Sequence, residues 1–199
     1  MRILVTNDDG INAPGLAIAE AIAQDIAGPK GEVWVVAPDN ERSGVGHCIS
    51  YVSPTRLTQI EERRFSVDGY PADCVLVGLH KILNDRPVDL ILSGINRGHN
   101  VAEDVVYSGT AGAAMEGGLN RVPSIALSQF YRSTDGAPTD LWEASRTHGA
   151  AAVRAVLKMP FADTAFYNVN FPAVAASEVK GMQVCPQGIR EEATFDVEQ

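Results

Sequence analysis

The chain has 199 residues, 45% of them hydrophobic and 21% charged, enough for one buried core and one domain, and a composition unlike that of disordered or fibrous chains. Its formal net charge of -9 repels nucleic-acid phosphates, which excludes a general polymer binder but leaves room for a small phosphorylated ligand in a local site. Three widely spaced cysteines, Cys48, Cys74 and Cys185, with no C-x-x-C among them, exclude a disulfide framework and a zinc site.

Arg2 to Asn7, "RILVTN", reads as a short buried strand that runs into a turn signal. Pro14-Gly15 opens an amphipathic helix, "LAIAEAIAQDIA", which stops near Gly28-Pro29. "EVWVVAP" is a second buried strand, so the chain begins as a βαβ unit with parallel strands and a right-handed crossover. The polar stretch from Asp39 to Gly46 leads to three short strand-like pieces, "CISYV", "TRLTQI" and "RFSVDG", expected as an antiparallel excursion. Pro71 to Asn84 is expected as a helix with Cys74 as core filler, and "VDLILSGI" as the next core strand. A long loop, "NRGHNVAEDVVYSG", precedes a small-residue helix, "TAGAAMEGGL", and the strand "VPSIALS". The turn-rich "SQFYRSTDGAPTD" then leads to a long helix, "LWEASRTHGAAAVRAVLK", and the strand "AFYNVNFP". "MQVCPQG" is a candidate further strand, and "IREEATFDVEQ" has no assigned partner element. Strands alternating with helices give an α/β sandwich with a mostly parallel sheet. No apolar leader and no eighteen-residue apolar window are seen, so a cytoplasmic protein without membrane contact is expected.

Ligands of open α/β sheets bind beyond the carboxyl ends of the strands. Three polar clusters fall there. Asn7, Asp8, Asp9 and Gly10 follow the first strand; Asp39 to Gly44 follow the second; Ser93, Gly94, Asn96, Gly98, His99 and Asn100 follow "VDLIL". Adjacent carboxylates at an oxygen-rich rim suit a hard divalent cation, whose charge removes the repulsion between Asp8 and Asp9. The plainer reading is a turn at Asp9-Gly10 capped by Asp8. Ser108, Gly109 and Thr110 open a helix whose free N–H groups suit a phosphate, although an ordinary N-cap by Ser108 or Thr110 accounts for them as well. His80 and His148 read as structural or solvated. His47 and His99, in rim loops, could donate a proton to a leaving group or bond a backbone carbonyl. Glu103 to Tyr107 is a candidate lid.

Two other folds with acidic loops are weaker matches. A phospho-accepting receiver domain needs an aspartate where this chain has Ser93 and Gly94, and a lysine that "SIALS" lacks. A haloacid-dehalogenase-type phosphatase needs a second aspartate two residues after the first, where this chain has Gly10.

Four segments, "NDDGINAPG", "VVAPDNERSGVGHCIS", "SGINRGHN" and "YSGTAGAAMEGG", together resemble the SurE family of stationary-phase survival proteins in identity, order and spacing. The likeness runs from Met1 to about Gly118 and more weakly to about Gly188. It implies a Rossmann-like three-layer α/β sandwich with a protruding antiparallel hairpin, over 1–199 as one domain. It implies a metal-dependent acid phosphatase, a 5'/3'-nucleotidase of nucleoside monophosphates with one divalent cation per subunit, Mg²⁺, Mn²⁺ or Ca²⁺. The implied metal ligands are Asp8, Asp9, Ser43 and Asn96, with Asp8 and Asn96 also catalytic. Ser108, Gly109 and Thr110 are the implied phosphate contacts. Asn100, in the third rim cluster, is expected to orient Asn96 or touch substrate. Family members form dimers or tetramers and continue several dozen residues further, so the family's C-terminal tail is expected to be missing here. The competing functional reading is a non-catalytic nucleotide- or metal-binding module.

Overall fold

In a computed structural model, residues 1–131 and 140–190 are described. Seven strands form one sheet in the order β3-β4-β2-β1-β5-β6-β7. These are β1 (Arg2–Thr6), β2 (Glu32–Pro38), β3 (Leu57–Glu61), β4 (Arg64–Val67), β5 (Leu90–Arg97), β6 (Ser124–Gln129) and β7 (Tyr167–Phe171). All neighbours are parallel except β3 and β4, which form the antiparallel pair at one edge. The helices are α1 (Pro14–Ala27), α2 (Pro71–Val77), α3 (Asp104–Tyr107), α4 (Gly109–Leu119) and α5 (Glu143–Val156).

Strand alternation divides the core into two layers. Ile3 and Val5 of β1, with Leu90 and Leu92 of β5, pack under α1 and α5. Leu4 of β1 and Ile91 of β5 face the opposite way and pack with Val36, Cys74, Val75 and Ala113 under α2 and α4. Cys74 is fully buried there, as its expected place in the core requires. Helix α1 begins with Pro14 in its first turn and ends at Gly28, whose φ of 71° lets the chain leave the helix.

The strand order sets the position of the site. The chain leaves β1 for β2 on one side and returns to place β5 on the other. β1 and β5 therefore flank the switch point where loops diverge and leave a crevice.

Several local expectations change. The helix from Pro71 ends at Val77 and widens into a π turn, Gly78–Ile82, closed by Leu83 N–H to the Gly78 carbonyl at 2.9 Å. "CISYV" is not a strand. Ser50 bonds the Asp73 carboxylate through its N–H (2.9 Å) and its hydroxyl (2.7 Å), while Tyr51 and Val52 stand in solvent. "MQVCPQG" joins no ladder among the described residues, and all of it is exposed. The long rim loop contains the short helix α3 at the place of the suggested lid. The "SQFYRSTDGAPTD" loop and the last stretch, "IREEATFDVEQ", fall mainly outside the described residues.

Candidate active site

β1 is followed by Asn7, Asp8 and Asp9, and the chain then turns at Gly10, whose φ of 99° is open to glycine and strained for other residues. Asn7 steadies the turn by donating from Nδ2 to the Gly10 carbonyl at 2.9 Å. Two other segments close on it. The Arg42 N–H donates to the Asp8 carbonyl at 2.7 Å, which binds the loop after β2 to the end of β1. The Arg97 N–H donates to Asp9 Oδ2 at 3.1 Å, which binds the end of β5 to the same pair. The three polar clusters thus meet at the switch point.

Asp8 is buried, 3% exposed. Burial, with further repulsion from Asp9, pushes its pKa up to about 6 against the hydrogen bond from Thr110. Asp9 is also raised, chiefly by burial and secondarily by repulsion from Glu41; the Arg97 N–H and guanidinium oppose that rise. Glu41 is a third carboxylate at the rim that the motifs did not single out, and it accepts the Ser43 hydroxyl at 3.1 Å. Its only sequence signal is its place in the same polar turn as Ser43.

Helix α4 starts against this pair. A Cβ on Gly109 would lie 2.9 Å from Asp8 Cβ and 3.1 Å from Asp8 Oδ2, so only a glycine lets the helix approach so closely. Ser108 is the N-cap, its Oγ accepting the Ala111 N–H at 3.0 Å. Thr110, expected as a phosphate contact, is fully buried and donates its hydroxyl to Asp8 Oδ1 at 2.6 Å. It holds the carboxylate in place, which leaves Ser108 and Gly109 as the groups at the mouth of the helix.

Asn96 lies two residues before Gly98 and donates from Nδ2 to the Gly98 carbonyl at 3.0 Å, which orients its side chain. Asn100, expected to orient Asn96 or touch substrate, is buried. Its Nδ2 donates to Ser128 Oγ (2.8 Å) and its N–H to Asn170 Oδ1 (2.8 Å), while its carbonyl accepts from Asn168 (2.7 Å) and Asn170 (3.1 Å). It braces β6 and β7 under the rim. Both loop histidines meet carboxylates: His47 Nε2 is 2.7 Å from Glu116 Oε2, and His99 Nε2 is 3.5 Å from Asp104 Oδ2. His80 and His148 bond Asn120 Oδ1 and the Ala176 carbonyl, in structural roles.

A divalent cation fits this donor set. Asp8, Asp9, Ser43 and Asn96 offer only oxygen, and the buried Asp8 carboxylate has no ion-pairing cation among the described residues. Among those residues no three His, Cys, Asp or Glu side chains are grouped to hold a metal, so such a site depends on the neutral Ser and Asn oxygens as well.

A doubly wound α/β domain with an acidic pair at its switch point and a helix N-terminus beside it belongs to the class that binds phosphorylated small molecules there. Comparisons narrow the class. The family model described as "Survival protein SurE" matches residues 3–194. A protein named 5'-nucleotidase SurE from Jannaschia sp. (strain CCS1) is 56% identical over 98% of this chain and 76% of its own length. One of the same name from Ruegeria pomeroyi is 53% identical over all of this chain and 78% of its own length. The crystal structure of the SurE protein from Aquifex aeolicus superposes with a TM-score of 0.84 at 38% identity, covering 96% of this chain and 73% of that one. The chain belongs to the SurE family.

Proposed function

We propose that this protein is a metal-dependent phosphomonoesterase that hydrolyses nucleoside 5'- and 3'-monophosphates to nucleoside and phosphate. The relatives named 5'-nucleotidase support the reaction class. The carrying observation is the contact between Gly109 and Asp8, which sets a helix N-terminus suited to a phosphate directly beside a carboxylate pair suited to a cation.

In this reading Asp8, Asp9, Ser43 and Asn96 hold one divalent cation, Mg²⁺, Mn²⁺ or Ca²⁺. Such a cation, when bound, supplies Lewis-acid polarisation of a phosphoryl oxygen and a lowered pKa for water. The chain's own residues do the rest. Asp8 Oδ1 is fixed by the Thr110 hydroxyl, so Oδ2, on the Gly109 side, is the oxygen offered to the cation, and the carboxylate as a whole is the group beside the attacking water that can share its proton. The Gly109 N–H and the Ser108 hydroxyl are the donors this helix start offers to the phosphoryl oxygens, to stabilise the charge that builds on them. The Asn96 side chain, already turned by Gly98, contributes its amide oxygen.

The same reading includes self-association as a homodimer or homotetramer, supported by the outer edge of β7, which joins no further strand among the described residues. It also includes a cytoplasmic location, supported by three free thiols. No helix among the described residues is long and apolar enough to cross a membrane.

The test is phosphate release from a panel of nucleoside monophosphates, with Mg²⁺, Mn²⁺ or chelator, for the wild type, Asp8→Asn and Asn96→Ala. The expected result is turnover that needs the cation and falls by at least 10²-fold in both variants. Turnover that survives chelator and both substitutions would overturn the metal site. Cation binding without turnover of any member of the panel would favour a regulatory binding module.

A further inference from the structure

The rim of the site is strongly acidic. Asp8 and Asp9 follow β1, and Glu41, which accepts the Ser43 hydroxyl at 3.1 Å, adds a carboxylate from the loop after β2. Without a cation, these carboxylates and the net charge of -9 disfavour the approach of a dianionic phosphate ester. Arg42, in the loop after β2, and Arg97, at the end of β5, are both tied to the Asp8-Asp9 pair through their backbone N–H groups, and they differ in what they do with their charge. Arg42 spends its guanidinium on Asp39 at 3.4 Å and Asp68 at 3.1 Å.

Arg97 ends β5 next to Asn96. Its backbone N–H is tied to Asp9 Oδ2 at 3.1 Å, so the residue is fixed at the acidic pair. Its side chain is exposed, and the guanidinium lies over the ring of Tyr131, 5.3 Å from the centroid. Among the described residues no carboxylate oxygen comes within 4.0 Å of it. Tyr131 is itself 43% exposed, just past the end of β6, so ring and guanidinium form a small platform on the same rim. Stacking occupies one face of the guanidinium and restricts a flexible side chain, while the in-plane N–H groups stay available. That edge is a fork suited to two oxygens of one phosphate.

We infer that Arg97, held over Tyr131, is a substrate-binding residue of this site that takes the phosphate of the phosphomonoester by a forked, charge-assisted contact. The inference rests on the phosphomonoesterase reading and adds a third element to it, a guanidinium anchored at the Asp8-Asp9 pair. The role is binding rather than chemistry, since the contact is available to the phosphate dianion before any bond breaks.

Inorganic phosphate is the probe, because it reports on the contact whether or not the protein turns over an ester. Its affinity is measured by calorimetry in the Mn²⁺-loaded full chain for the wild type, Arg97→Gln, Arg97→Lys, Tyr131→Phe and Tyr131→Leu. The expected result is a loss of about tenfold in Arg97→Gln, an intermediate value in Arg97→Lys, wild-type affinity in Tyr131→Phe and a several-fold loss in Tyr131→Leu. KM for a nucleoside monophosphate should rise by the same factors, with kcat within about threefold. Phosphate affinity and KM within twofold of wild type in Arg97→Gln would overturn the inference while leaving the enzymatic reading intact. A fall in Mn²⁺ affinity equal to the fall in phosphate affinity would also overturn it, since the effect would then pass through Asp9. If no monophosphate is turned over by the wild type but Arg97→Gln still loses phosphate affinity, the enzymatic reading fails and the anion contact stands.

Discussion

The Thr110 hydroxyl donates to Asp8 Oδ1 at 2.6 Å, joining the first turn of α4 to the end of β1 across 102 positions of sequence. Both groups are buried, so bulk solvent does not readily replace the hydroxyl if it is lost. Thr110→Val keeps the shape and removes the donor. Partners that orient a metal-binding carboxylate are typically worth 10- to 100-fold in metal affinity or activity. Thr110→Val should therefore lose about that much in Mn²⁺ affinity and kcat, and Thr110→Ser should recover most of it. Wild-type Mn²⁺ affinity in Thr110→Val would show that the bond does not position Asp8.

A second prediction concerns the metal-free protein. Burial raises the Asp8 pKa from 3.8 to about 6. A carboxyl raised in the folded state favours folding in its protonated form, so its contribution is fully present below about pH 4 and is lost as pH rises through about 6. The difference corresponds to about 3 kcal/mol against the fold at neutral pH. In chelator at pH 7.5, Asp8→Asn should melt several degrees above the wild type, and the gap should close near pH 4. Adding Mn²⁺ should raise the wild-type melting temperature and leave Asp8→Asn nearly unmoved. An Asp8→Asn protein that melts below the wild type in chelator at pH 7.5 would refute this account.

Gly109→Ala tests the close approach of α4. The added methyl would meet Asp8 Cβ at 2.9 Å, Asp8 Oδ2 at 3.1 Å and Pro71 Cγ at 3.1 Å. Asp8 or the helix must shift, and overpacking of this kind costs about 1–3 kcal/mol. Activity should fall further than stability, by at least 10²-fold, because a displacement of about an ångström at a reacting group is enough for that. Thermal melting beside a kcat measurement separates the two effects; a fall in melting temperature with kcat unchanged would deny Gly109 a place at the site.

The three rim clusters were legible because each follows a short buried strand, and topology alone carries strand ends to one side. The role of Thr110 was not legible. A Ser-Gly-Thr stretch before a helix reads as a cap, and Ser108 is indeed that cap. Nothing local signals that the next hydroxyl meets a carboxylate on another strand. The bonds of Asn100 were not legible for a similar reason: they run to Ser128, Asn168 and Asn170 on β6 and β7. "CISYV" carried a strand-like composition, but Ser50 found Asp73 first, and tertiary contact overrode propensity.

The loop that carries Ser43 is held from its far end, and that anchor can be removed. His47 Nε2 lies 2.7 Å from Glu116 Oε2 on α4, and the Gly46 N–H donates to the Tyr107 carbonyl at 2.8 Å. Glu116 Oε1 also accepts from Asn120 Nδ2 at 2.8 Å, and Asn120 Oδ1 meets His80 Nε2 at 2.9 Å, so the carboxylate stays oriented without His47. His47→Ala therefore removes the side-chain anchor of the loop, leaves its backbone bonds at Arg42 and Gly46, and spares the helix. Mn²⁺ affinity should fall several-fold and kcat/KM about tenfold, with the melting temperature within a few degrees of wild type. Glu116→Gln should weaken the same contact from the other side. The double variant should be no worse than the worse single one, because both substitutions remove one interaction. Additive losses would assign the two residues separate roles and break the link between this pair and Ser43.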